Sequence, residues 1–89
     1  MIVKIVDPTD EHLDTLEFKT FKVLTELNVV GTIEKYKSLD KVSKYNIQDT
    51  PAFIVNDKIK VSGKVPPKEE IKKLLQEENK IAGWTVALQ

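Results

Sequence analysis

Apolar and polar residues follow two different spacings in the first third of the chain. Residues 2 to 6 alternate around Lys4 and are rich in β-branched side chains, which predicts a mostly buried first strand. From Leu13 to Leu27 the apolar residues recur every three or four positions, as they do on one face of a helix. The chain therefore opens with a strand followed by a helix.

The ends of this helix carry recognisable signals. Thr9 is placed to accept a backbone N–H as the N-cap, and Asp10 and Glu11 complement the positive end of the helix dipole. Asn28 is a suitable terminator, because asparagine tolerates the left-handed backbone conformation. We therefore expect the helix to begin close to Thr9 and to end at Asn28.

The remainder predicts a strand, a short helix, a hairpin and a final helix. Pro51 ends any helix before it, and Asn56-Asp57 suit a two-residue hairpin turn. Pro66-Pro67 opens a helix with one apolar stripe. In chain order the predicted elements are a strand at 29–36, a short helix at 39–45, strands at 52–55 and 58–62, and the helix after Pro67.

The last residues change in character. Trp84, Val86 and Leu88 lie two apart, so they would share one face of an extended segment. We expect residues 1–80 to form one domain and residues 81–89 to be a C-terminal docking tail or an extra strand. A tail of this kind would dock on its own domain or join two subunits of a homo-oligomer.

Composition narrows the class of protein. Fourteen acidic residues balance fourteen basic ones, and all of the basic residues are lysine. The chain therefore has neither the net positive charge nor the arginine side chains that favour binding to nucleic acid. No apolar stretch approaches the roughly 18 residues of a membrane helix. We expect a soluble, cytoplasmic protein without a nucleic-acid or membrane partner. The chain contains no cysteine, which excludes disulfides, thiolate metal sites and thiol catalysis.

The segment from Tyr45 to Ile59, with Thr50-Pro51 before the apolar run 52–55, and the following Gly63-Lys64-Val65-Pro66, resembles the second half of small thioredoxin-like and glutaredoxin-like proteins. The resemblance implies an α/β fold, with a four-stranded mixed sheet in the order 2-1-3-4 flanked by helices. It also implies that the Thr50-Pro51 bond is cis and faces a Cys-x-x-Cys motif at the start of the first helix. Here that motif is replaced by Asp10-Glu11-His12-Leu13.

The resemblance and the missing thiols together define the functional expectation. In the family, the backbone before the cis-proline pairs with an extended segment of a substrate protein, so Asp10, Glu11, His12, Leu13, Thr50 and Pro51 form the candidate binding site. We expect a redox-inactive binding or interaction module, with no catalytic residue, metal or cofactor. One histidine with scattered carboxylates falls short of the three or four ligands of a typical metal site.

Three alternatives remain open. The protein could be a structural homo-oligomer joined through Trp84–Leu88, or a signalling component comparable to the KaiB-like clock proteins, which also resemble thioredoxin and lack the cysteine pair. The third is an enzyme without a thiol, in which Asp10 and His12 supply titratable groups and His12 acts as a general base.

Overall fold

A computed structural model describes the backbone of residues 1–87 and the side chains of residues 1–79. The elements follow the predicted order. They are strand β1 (Ile2–Val6), helix α1 (Leu13–Leu27), strand β2 (Thr32–Tyr36), a 3₁₀ helix (Asp40–Tyr45), strands β3 (Ala52–Val55) and β4 (Lys58–Ser62), and helix α2 (Lys68–Ala87).

The strands form one four-stranded sheet in the order β2-β1-β3-β4. Strand β1 pairs in parallel with β2, and β3 is antiparallel to both β1 and β4. The predicted fold class and strand order are therefore confirmed. Strands β2 and β4 are the two edges of the sheet.

At its inner strands, β1 and β3, the sheet buries side chains on both faces, since side chains alternate along each strand. Val3 and Ile5 point to the face covered by α1 and α2, where Phe53 is also buried. Val6 and Ile54 point to the opposite face and pack against Val42 of the 3₁₀ helix. The inner strand β3 is consequently apolar on both sides, as central strands usually are, while β1 carries one polar residue, Lys4, on the face with the 3₁₀ helix.

Helix α1 ends as predicted but begins later. Asn28 adopts the left-handed conformation (φ 57°), and the N–H groups of Asn28 and Val29 donate to Thr25 O at 3.1 Å and Leu24 O at 3.0 Å. This pair of bonds is a Schellman motif. It also uses Val29 for the helix end, so β2 begins at Thr32 and not at residue 29 as expected. The predicted N-cap at Thr9 is wrong, since the cap position is His12.

The hairpin between β3 and β4 turns at the predicted residues. Asn56 and Asp57 have φ angles of 48° and 68°, which a two-residue type I′ turn requires at both positions. Asn56 also ties the turn to β1, because its N–H donates to Ile2 O at 2.9 Å and its side-chain oxygen accepts from Ile2 N–H at 3.0 Å.

Helix α2 is longer than expected. It continues through Ala87, so the backbone of residues 81–87 is helical and does not form the extra strand considered above. Helix formation is cooperative, and a single interior glycine such as Gly83 costs only about 1 kcal/mol. Residues 88 and 89, and all side chains from residue 80 onwards, lie outside the described part of the chain, so the docking of Trp84–Leu88 stays a prediction. Within residues 1–87, no helix has the length and apolarity needed to span a membrane.

Candidate functional site

The predicted site residues meet at one end of the sheet, which we call the site end. Val6, the last residue of β1, pairs with Tyr36 at the end of β2 and with Ala52 at the start of β3. The loop of residues 7–12 therefore leaves the sheet beside Thr50-Pro51. This register brings together two segments that are about forty residues apart in the chain.

A buried carboxylate organises the loop at the site end. Asp7 is only 2% exposed, and its N–H donates to Tyr36 O at 2.9 Å. One carboxylate oxygen accepts from the hydroxyl of Thr9 at 2.8 Å and from Thr9 N–H at 3.1 Å. The other accepts from His12 N–H at 2.9 Å. Asp7 thus takes the part at the start of α1 that the sequence assigned to Thr9, whose hydroxyl donates to Asp7 and accepts only a long hydrogen bond, 3.4 Å, from Glu11 N–H.

The surroundings of Asp7 favour its charged form. Burial on its own raises the pKa of this carboxyl, because it disfavours the carboxylate. The hydrogen bonds from Thr9 and from His12 N–H outweigh burial and leave the pKa below its ordinary value. Sequence reasoning did not select Asp7 as a functional residue. The available signal was an aspartate directly after a buried strand and two residues before a threonine, an arrangement typical of local side-chain to backbone bonds.

Asp10 lies outside the helix. Its φ angle is 63°, its N–H donates to Asp7 O at 3.0 Å, and its carboxylate lies 3.1 Å from Lys37 Nζ. The expectation that Asp10 and Glu11 occupy the first helical turn is therefore wrong, and the acid in that turn is Asp14. The delayed start has a physical cause, since the Asp7 carboxylate holds residues 9–12 in a loop.

His12 and Leu13 face different environments. His12 is partly exposed, and its Nε2 lies 3.9 Å from a carboxylate oxygen of Glu11. Leu13 is 1% exposed and belongs to the core between the helices and the sheet. Of the four residues that replace the redox motif, three are accessible at the surface, namely Asp10, Glu11 and His12. Leu13 packs the start of α1 against the core.

Thr50-Pro51 lies immediately before β3 and has a cis peptide bond. Pro51 is buried, and its carbonyl accepts from Gly63 N–H at 2.9 Å, which ties it to the end of β4. Thr50 is half-buried. Among the residues that the structure describes, none exchanges a hydrogen bond with the backbone N–H or C=O of Thr50.

A second polar cluster lies near the hairpin, on the face with the 3₁₀ helix. Lys4 Nζ donates to Tyr45 Oη at 2.7 Å, and Tyr45 Oη donates to the carboxylate of Asp57. The hydrogen bond with Tyr45 raises the pKa of Lys4. The cluster joins β1, the 3₁₀ helix and the turn through these two hydrogen bonds. Sequence reasoning placed Lys4 in a strand without identifying these partners.

The site end offers carboxylates, one imidazole and backbone groups. In the described part of the chain, no group of three or more His, Asp or Glu side chains is arranged to hold a metal ion. The whole sequence lacks cysteine, so exchange with a disulfide has neither an attacking nor a resolving thiol.

Comparison with known proteins agrees with this architecture. The family model of the thioredoxin domain matches residues 1–76. A thioredoxin of Methanothermobacter thermautotrophicus is 33% identical to the chain over 75 residues, which cover 84% of this chain and 97% of that relative. The chain therefore belongs to the thioredoxin-domain family.

Proposed function

We propose that this protein is a redox-inactive thioredoxin-domain binding module. It holds an extended segment of another protein at the site end, beside Thr50-Pro51 and the loop before α1. The observation that carries the proposal is the backbone of Thr50, with which no described residue pairs, next to a loop held in place by Asp7. Family membership supports the same surface, and the absence of cysteine makes the interaction non-covalent.

The first argument concerns main-chain hydrogen bonds. Strand β1 ends at Val6, opposite Ala52, so β1 supplies no strand partner to Thr50. Backbone N–H and C=O groups are strong donors and acceptors, and an extended peptide satisfies them by adding to the open backbone. An incoming segment would pair with Thr50 without displacing a main-chain hydrogen bond from any residue that the structure describes.

The second argument concerns preorganisation. Asp7 fixes residues 9–12 through hydrogen bonds from Thr9 and His12, so the wall of the site beside α1 is already ordered before a partner arrives. Ordering a loop on binding reduces affinity, and a site that is ordered in advance avoids that cost. His12 and Glu11 supply polar contacts at the rim, whereas affinity comes from the main chain of the bound segment.

Affinity capture with a site variant tests the proposal. The immobilised chain is incubated with native lysate of the source cells, in parallel with Thr50→Arg and Gln76→Arg. Both variants add one arginine, but Gln76 is on the exposed surface of α2 while Thr50 is at the site end. We expect a protein captured by the wild type and by Gln76→Arg to be lost from Thr50→Arg.

Capture alone does not locate the contact, so synthetic peptides that together cover the sequence of the captured protein are prepared. Each peptide is titrated into the ¹⁵N-labelled chain, and amide shift changes are mapped. The proposal predicts changes at Thr50, at Ala52 and in residues 9–12. A partner whose peptides perturb only α2 or the hairpin, and which Thr50→Arg captures as well as the wild type, would contradict it.

A further inference from the structure

Helix α1 presents an aromatic surface to solvent, away from the site end. Phe18 is 60% exposed and Phe21 is 61% exposed, although both belong to the helix that covers the sheet. Asp14, Phe18 and Lys22 are spaced four residues apart and so lie along one line of the helix, with Phe21 beside them. We call these four residues the Phe18 ridge.

The Phe18 ridge borders a groove at the edge of the sheet. The groove has a volume of about 390 Å³, and Phe18, Phe21 and Ile33 provide its apolar lining. Ile33 belongs to β2, the edge strand next to α1, which has no neighbouring strand on its outer side among the described residues. Two exposed phenylalanines beside an open groove form a surface of the kind that marks an interaction site.

The charges on the Phe18 ridge indicate which partner fits. Asp14 lies at one end, with a side chain that is 93% exposed and an oxygen 3.3 Å from the Nζ of Lys35, which also contacts Glu17 at 3.0 Å. Lys22 lies at the other end, with its Nζ 5.0 Å from the centre of the Phe18 ring. A two-fold axis through Phe18 would run two ridges antiparallel and place Asp14 of each copy opposite Lys22 of the other. The pattern negative, aromatic, positive is therefore complementary to itself, as a two-fold interface requires.

We propose that the Phe18 ridge is a self-association surface that joins two copies of this chain. The two α1 helices lie antiparallel, Phe18 and Phe21 of each copy pack against the groove of the other, and Asp14 pairs with Lys22 across the axis. This interface uses a different surface from the one proposed for binding at Thr50, and either proposal can fail alone. It also differs from an oligomer joined through residues 84–89.

Charge exchange in the full-length chain tests the arrangement. Asp14→Lys places the new lysine of each copy opposite Lys22 of the other. Lys22→Asp places the new aspartate of each copy opposite Asp14 of the other. Each like-charged contact occurs twice per dimer. Sedimentation equilibrium from micromolar to millimolar chain is expected to show self-association about fivefold weaker or more for each single variant. An equimolar mixture of the two variants should regain it, because each variant then meets opposite charges in the other.

Apolar variants complete the test. We expect Phe18→Glu to remove the dimer, while Leu39→Glu, at an exposed apolar residue near the 3₁₀ helix, and deletion of residues 84–89 leave it intact. Circular dichroism of each variant checks that the variant is folded. The proposal is overturned if the wild type stays monomeric through the millimolar range, if Phe18→Glu still dimerises, if mixing restores nothing, or if the deletion alone abolishes the dimer.

Discussion

The backbone N–H of His12 donates to the buried carboxylate of Asp7 at 2.9 Å, and this bond sets where helix α1 begins. Asp7 also accepts two bonds from Thr9, so a single side chain orders the loop between β1 and α1. A segment that binds at the site end would therefore contact a loop that is already ordered. The fold buries a second carboxylate, that of Glu78, and both acids make stability depend on pH.

Asp7→Asn is expected to lower the free energy of unfolding at neutral pH by about 1–3 kcal/mol. Both carboxylate oxygens of Asp7 accept hydrogen bonds, whereas an amide accepts only through its single oxygen. Folding lowers the pKa of Asp7, so its stabilising effect is complete above the ordinary value of 3.8 and fades as pH falls through the lower folded value. Urea unfolding at several pH values should show wild type and variant converging in acid. Asp49→Asn, at an exposed position, serves as the control, and an equal loss in both variants would contradict the assignment.

Glu78 is 3% exposed on α2, with Lys60 Nζ at 2.8 Å and Lys58 Nζ at 3.3 Å from one of its oxygens. Contact with Lys60 lowers the pKa of Glu78 and outweighs burial, which acts in the opposite direction. Its contribution is therefore complete above the ordinary value of 4.5 and is lost as pH falls through the lower folded value. Glu78→Gln should destabilise the neutral protein and flatten the loss of stability in acid. Glu77→Gln, its exposed neighbour, should behave like the wild type, and matching curves for the two variants would refute the prediction.

Periodicity and turn residues predicted most of the fold. The alternation of residues 2–6, the helical spacing after Leu13 and the Asn56-Asp57 turn all depend on contacts between neighbours in the chain. Local preference and the final structure agree at these positions, so the elements could be predicted from the sequence. The order of the strands in the sheet came from the family resemblance.

Long-range contacts decided what the sequence could not predict. Thr9 is a local exception, because the carboxylate of Asp7, two residues earlier, accepts from His12 N–H and takes the capping role instead. Thr50 has no partner in β1 because β1 ends opposite Ala52, which only the register reveals. The burial of Glu78 depends on lysines in β4, across the domain. Side-chain identity predicts each group's chemistry, whereas tertiary pairing decides whether a partner is within reach.

The helix end at Asn28 offers a test of backbone conformation. Its φ of 57° suits asparagine and glycine, but an ordinary side chain is destabilised there by roughly 1–2 kcal/mol. We expect Asn28→Ala to be less stable than Asn28→Gly by about 1 kcal/mol. Thermal unfolding of the two variants measures the difference. If alanine equalled or exceeded glycine, residue 28 would not be left-handed in solution.

The chain should not reduce disulfides. Thiol exchange requires a thiolate, and the sequence contains no cysteine. In an insulin-reduction assay with dithiothreitol, the rate with the chain should equal the rate of the buffer blank, while a cysteine-containing thioredoxin assayed in parallel raises it. A reproducible increase from chain verified by mass spectrometry would show that another group performs the chemistry.

Hydrogen exchange at the Thr50 amide tests the central claim most directly. In the free chain no described residue accepts from this N–H, so it should exchange readily despite its place beside a buried strand. At saturation with a peptide from a captured partner, we expect exchange at Thr50 to slow severalfold while amides on the exposed face of α2 keep their rates. An unchanged Thr50 rate at saturation would contradict main-chain pairing at the site end.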